Sequence, residues 1–205
     1  MLNINEQGEV IHPRIKQARS FALEHGKLDK VNGIIVHQTG APTASSTFNS
    51  YRRTNAAGAH FLIDRDGTIY QTASVYKRTW HVGTIRARCL IKHSCSPAEL
   101  KTYHDLMRKP GGPAAISRLE ALKDTPERFP SNVDSIGIEL VGDATPHNTH
   151  DDKLIRYETV TVEQNRSLTW LVGELKSSMG VPVPEVFRHP DVSYKNSHEA
   201  ESARW

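Results

Sequence analysis

The chain has 205 residues, 37% of them hydrophobic and 24% charged, a composition that reads as a globular protein with room for a sizeable core. Twenty-six basic against 23 acidic residues leave a formal charge of +3, too even a balance to argue for nucleic acid as partner. No apolar run approaches the ~20 residues of a membrane span, and the opening MLNINEQGEVIHPRIK lacks the basic-then-apolar order of a secretory signal.

In chain order, the first element expected is a short helix around Arg14–His25. VNGIIVHQTG then reads as a buried strand, an apolar β-branched run stopped by Gly40 and Pro42. STFNSYRRTNA is helix-like, with Ser45, Ser46 or Thr47 as caps. Two strand-like runs, His60–Ile63 and Thr68–Gln71, flank DRDG, a hairpin turn in which Gly67 can take positive φ. A loop carrying Trp80 and His81 follows. Residues 85–131 hold the two cysteines, KPGGP, DTPERFP and several short helical stretches; without a continuous apolar pattern they read as a loop-rich insertion, not a second domain. SIGIELVG, 135–142, is a second buried strand, followed by the polar loop TPHNTHDDKLIRY. Residues 161–180 form the clearest helix. Thr161 and Gln164 stand at capping-box spacing, Leu168, Leu171, Val172 and Leu175 make one stripe, and Gly180 stops it. The tail begins as a strand and ends in a short terminal segment. This alternation predicts an α/β fold, one domain over 1–205 with a central mixed sheet flanked by helices.

His37 and His189 both follow short apolar strand runs, IIVH and VFRH. Were those strands neighbours, the two imidazoles would meet at one rim and supply two of the three protein ligands of a catalytic zinc. Taken singly, each histidine is better explained as a surface or rim residue.

The series GIIVHQTG, GAHFLIDRDGTIYQ, WHVG, SIGIELVG and RHPDVSYK resembles, in content and order, the zinc-dependent N-acetylmuramoyl-L-alanine amidases, which share their fold with the peptidoglycan recognition proteins. The resemblance covers residues 31–83 and 133–196. It implies a Zn2+ cofactor, a peptidoglycan or muropeptide substrate, and a set of roles. His37 and His189 match the first two zinc ligands, Glu139 an acidic residue that exchanges protons, Lys195 a lysine that stabilises the oxyanion, and His81 a histidine lining the substrate groove. Some phage members carry a tyrosine at the position of Ala59; its absence there places this chain nearer the glutamate-using branch.

The third ligand departs from the pattern. Counting from Lys195, the register puts Ser197 in the slot, and a neutral hydroxyl is a poor zinc ligand. His198 is chemically better suited and is the expected ligand, with Glu199 as the alternative. This irregularity keeps open a second reading, a non-catalytic module that binds peptidoglycan without cutting it. An unrelated α/β hydrolase is disfavoured, since no Gly-x-Ser-x-Gly elbow is present.

Cys89 and Cys95 lie in no CxxC motif, and read as a loop staple in an oxidising space or as inert thiols otherwise. An enzyme without a leader that acts on peptidoglycan must handle recycled fragments, be released by lysis, or be injected. The cysteine pair and the KNSHEAE ending favour the last, which resembles antibacterial type VI secretion effectors and implies a cognate immunity protein as partner.

Overall fold

The structure is a computed structural model and describes residues 1–149 and 151–205; His150, within the polar loop expected after residue 145, lies outside the described residues. Nine strands are present among the described residues: β1 (Asn3–Ile4), β2 (Val10–Ile11), β3 (Ile15–Gln17), β4 (Gly33–Gly40), β5 (Phe61–Ile63), β6 (Ile69–Gln71), β7 (Ser135–Thr145), β8 (Arg156–Tyr157) and β9 (Val186–Arg188). The helices are α1 (Ala44–Tyr51), α2 (Arg88–Lys92), α3 (Pro97–Met107), α4 (Gly112–Glu120), α5 (Val162–Met179) and α6 (His189–Val192).

The central sheet runs β3-β6-β5-β7-β4-β9, with β8 added against β7. It is mixed: β4 lies parallel to both β7 and β9, β5 parallel to β7, and β5 antiparallel to β6. This is the α/β architecture expected from the sequence.

Strand alternation sorts the side chains of β4, β7 and β9 onto two faces. Ile34 and Val36 of β4, Ile136, Ile138 and Leu140 of β7, and Val186 of β9 join one buried cluster with Leu168, Leu171, Val172 and Leu175 of α5. Thr161 and Gln164 close the predicted capping box of α5, and Gly180 ends it at φ 68°. Gln164 also donates from Nε2 to the carbonyls of Ile63 and Val141, so the start of α5 is tied to β5 and β7. The opposite face carries Ile35 and Phe187, packed together with Val82 and Val192. By the same alternation, His37 and Glu139 project from this second face.

The hairpin forms as expected between β5 and β6. Gly67 takes φ +82°, and a Cβ there would stand 2.8 Å from the Glu163 carbonyl oxygen, so both conformation and space require glycine. Three expectations are corrected. The helix expected over Arg14–His25 is β3 followed by a short 3-10 turn, Phe21–Leu23. Ile15 pairs with Ile69, and the amides of Ala18 and Ser20 continue the ladder onto Gln71 and Thr72, so sheet pairing overrides local helical spacing. The cap of α1 is Thr43, whose side chain accepts from the Ser46 amide. The short helical stretches expected in 85–131 are α2, α3 and α4, which make the segment more helical than loop-rich. Ala87, Tyr103 and Ile116 form a small core of their own there, beside the Cys89–Cys95 disulfide.

That segment is fastened to the sheet at β9. Arg88 donates from both terminal nitrogens to Glu185, at 2.8 and 2.7 Å, and Glu185 is buried immediately before β9 begins. Glu120, also buried, accepts from the Arg88 amide, the Tyr103 hydroxyl and the Lys123 ammonium.

Candidate active site

Register alone brings the two sequence-predicted histidines together. The β4–β9 ladder ends with Val36 opposite Arg188, so His37, the next residue of β4, lies beside His189, which follows β9 and opens α6. On the other side of β4, His37 pairs with Glu139. One rim of the sheet therefore presents all three.

The third member of the cluster is Glu199. Its Oε1 lies 2.9 Å from His189 Nδ1 and 3.3 Å from His37 Nδ1. Donor atoms of His37, His189 and Glu199 all lie within 4.8 Å of one another, and all three residues are buried. The expectation of His198 is corrected. His198 turns away and holds Glu201 at 2.7 Å, while Ser197 is exposed. Residues 196–203 wind through tight turns, with Ala200 at φ 54°, and burial of Ala200 and Ala203 in the main core fixes which side chain points inward. That register selects Glu199.

Hydrogen bonding determines which ring nitrogen faces the cluster. His189 Nε2 lies 2.8 Å from the Val82 carbonyl oxygen, which can only accept, so Nε2 carries a proton and Nδ1 is the nitrogen left to offer a lone pair toward Glu199. His37 is fixed through a chain. Ser135 Oγ donates to the Ser131 carbonyl at 2.6 Å, and so accepts from His81 Nε2 at 3.3 Å. His81 Nδ1 is then an acceptor, and His37 Nε2 donates to it at 3.0 Å. The His37 Nδ1 lone pair is left facing the same point.

Burial, reinforced by the neighbouring His189, pushes the His37 pKa down to about 4, so this ring is neutral at pH 7. Burial acts to raise the Glu199 pKa, and the His189 and His37 rings that face it hold the carboxyl down only where they carry a proton; with neutral rings that role falls to a cation between them. Two imidazole lone pairs and a carboxylate converging on one point repel each other unless a cation lies between them. Their number and type fit a catalytic zinc, three protein ligands with a fourth position open.

His81 is not a groove-lining residue. It is buried and uses both ring nitrogens internally, the kind of outer contact that orients a metal-binding histidine. Gly137 makes the room: a Cβ there would stand 2.8 Å from His81 Nδ1. Asn132 Oδ1 accepts from the amides of His81 and Val82, at 2.9 and 2.8 Å, setting both the His81 ring and the carbonyl that holds His189.

Glu139 receives a hydrogen bond at Oε2 from the Tyr51 hydroxyl. Burial is the main influence raising the Glu139 pKa to about 7; Tyr51 pulls it down and the charge of Glu199 pushes it further up. Tyr51, at the end of α1, is itself buried, and burial together with Glu139 raises its own pKa. Tyr157 of β8 also feels the charges of Glu199 and Glu139. Neither tyrosine stands at the position where the family pattern was sought, and sequence reasoning missed both. Helical spacing from the cap to residue 51 was the one available signal for Tyr51. Lys195 is exposed on the segment after α6, near enough for its charge to contribute to lowering the His37 pKa.

The model of one protein family, described as N-acetylmuramoyl-L-alanine amidase, matches residues 27–201. No curated protein matches the chain by sequence. Among solved structures, a selenomethionine AmpD derivative superposes with a TM-score of 0.54 at 16% identity, covering 98% of this chain and 93% of that one. The catalytic domain of XlyA gives 0.50 at 17% identity, with 88% of each chain covered. AmpDh3 from Pseudomonas aeruginosa, solved with an anhydromuramic pentapeptide, gives 0.50 at 20% identity over 94% of this chain and 58% of that one.

Proposed function

Since the chain belongs to the N-acetylmuramoyl-L-alanine amidase family, we propose that it is a zinc-dependent hydrolase cutting the amide between N-acetylmuramic acid and L-alanine of peptidoglycan. The observation that carries the zinc dependence is the convergence of His37 Nδ1, His189 Nδ1 and Glu199 Oε1. When bound, zinc supplies Lewis acidity toward a water and an amide carbonyl.

The chain's own residues supply the rest. Glu139 offers Oε1, its Oε2 being held by Tyr51, to take a proton from the attacking water and return it to the leaving amine nitrogen. A pKa of about 7 suits a group that must act as base and then as acid near neutral pH. Lys195 places a cation at the edge of the site for the developing oxyanion. His81, Ser135 and Val82 hold the two imidazoles in the tautomers that present Nδ1.

The non-catalytic reading rested on an irregular third slot, and Glu199 supplies the carboxylate that reading needed to be missing. The Cys89–Cys95 disulfide supports action in an oxidising space. We read the protein as an antibacterial cell-wall-degrading enzyme that reaches its substrate by injection, in the manner of a type VI secretion effector with a cognate immunity protein, or by lysis. No helix among the described residues is long and apolar enough to cross a membrane. Digestion of purified sacculi with mass analysis of the products tests the activity. Free stem peptides beginning with L-alanine should appear, and a chelator should abolish them; glycan fragments with peptides still attached would overturn the reading.

A further inference from the structure

Four residues donate to the buried carboxylate of Asp134, which stands immediately before β7. Oδ1 accepts from the Ser131 amide at 2.8 Å and from Arg128 Nη1 at 3.2 Å. Oδ2 accepts from Arg128 Nη2, Asn32 Nδ2 and Thr125 Oγ1, each at 2.9 Å. Arg128 is buried too, and its Nε donates to the Lys123 carbonyl at 2.8 Å. These donors come from two distant places. Asn32 directly precedes β4, while Thr125 and Arg128 close the segment 85–131.

The carboxylate closes the turn Ser131–Asp134, in which the Asp134 amide also donates to the Ser131 carbonyl at 3.1 Å. Both candidate metal-binding histidines depend on that turn. Asn132 takes the amides of His81 and Val82, which aims the Val82 carbonyl at His189 Nε2. The Ser131 carbonyl takes the Ser135 hydroxyl proton, which leaves Ser135 to accept from His81 and His81 to accept from His37. A buried ion pair is a poor source of stability, because desolvation offsets the attraction. What it supplies here is a single conformation of one turn.

We propose that Asp134, clamped by Arg128, is the positioning residue of the metal site: it holds the turn that keeps His37 and His189 in the tautomers presenting Nδ1. The segment 85–131 thereby governs metal retention through its last residues. The proposal rests on the reading of the site as a zinc centre. It adds that an ion pair touching neither histidine decides how tightly that centre holds its metal.

The test compares Asp134→Asn with Leu171→Ala in the full-length protein. Leu171 is buried on the opposite face of the sheet, so its truncation costs stability without touching the turn. Chelator competition gives zinc affinity. Long-range proton–nitrogen spectra at saturating zinc show which imidazole nitrogen bears a proton and how fast that proton exchanges. The native protein should show slowly exchanging Nε2 protons on both His37 and His189. Asp134→Asn puts an amide NH2 among donors; it should lose that protection and bind zinc about 10–100-fold more weakly, the scale of a lost outer contact. Leu171→Ala should lower the unfolding midpoint and leave both readouts native. Arg128→Lys keeps the cation but loses the two-pronged geometry, so it should shift both readouts in the same direction by less; it decides the matter if Asp134→Asn does not fold. Native affinity and native imidazole signals in folded Asp134→Asn, or in Arg128→Lys where that variant decides, would overturn the proposal. So would equal losses in Leu171→Ala, which would make the effect one of general stability. Failure of the underlying zinc reading shows separately, as native protein that takes up no zinc.

Discussion

The Tyr51 hydroxyl donates to Glu139 Oε2, a contact across 88 residues of sequence that places a phenol behind the carboxylate expected to move protons. Burial raises Glu139 to about 7, and the Tyr51 bond is the counterweight. Glu139 serves as base only when ionised, so kcat/KM should fall as pH drops below about 7. Tyr51→Phe removes an influence that lowers the pKa, so this acid limb should move to higher pH with metal content unchanged. Glu139→Gln should keep its metal and fold but lose at least ~100-fold in rate. A pH profile unmoved by Tyr51→Phe would mean that the bond does not tune the carboxylate.

The donor set distinguishes two adjacent residues. Glu199→Ala, like His37→Ala or His189→Ala, should lose bound zinc and activity together, because removing one of three protein ligands opens the coordination sphere. His198→Ala and Ser197→Ala should retain both. Metal analysis of the five purified variants is the check, and zinc loss in His198→Ala with retention in Glu199→Ala would reverse the assignment.

His81 should matter through the metal and not through substrate contact. His81→Ala frees His37 Nε2 and lets its ring turn, and the loss of such an outer contact typically costs about 10–100-fold in metal affinity or activity. Chelator competition measures the affinity. At saturating zinc, KM for a muropeptide should stay near the native value; a rise in KM alone would return His81 to a substrate-binding role.

The disulfide closes a span of six residues. In the chain-entropy view, a loop this short contributes about 2 kcal/mol. Reduction, or Cys89→Ser with Cys95→Ser, should therefore lower the unfolding midpoint modestly without removing activity, as followed by denaturant titration with and without reductant.

His37, His189 and Glu139 were legible because they sit at the ends of, or within, short apolar strand runs, and strand register then places them side by side. Helix α5 was legible because capping box, stripe and terminal glycine agree. Glu199 is not singled out by sequence because local chemistry favours the imidazole of His198, whereas burial of Ala200 and Ala203 decides the rotation of that turn, a tertiary fact. Tyr51 escaped because its partner lies on another element. The helix expected near Arg14–His25 failed for the same reason: Ile15 finds a partner in β6 that local spacing cannot reveal. His81 was placed in the site by motif, but its burial depends on the space left by Gly137 in a different strand.

The pairing of His37 with Glu139 has a consequence for how the molecule comes into being. Parallel strands so distant in sequence must close a long loop before any contact rewards them, the kind of topology associated with slow folding. The proposed proton-transfer group and metal donors are therefore not a local motif able to work in a partly folded chain. Competence arrives only once the middle of the sheet has zipped, and a nascent or stalled molecule carries its chemistry in scattered, inert pieces.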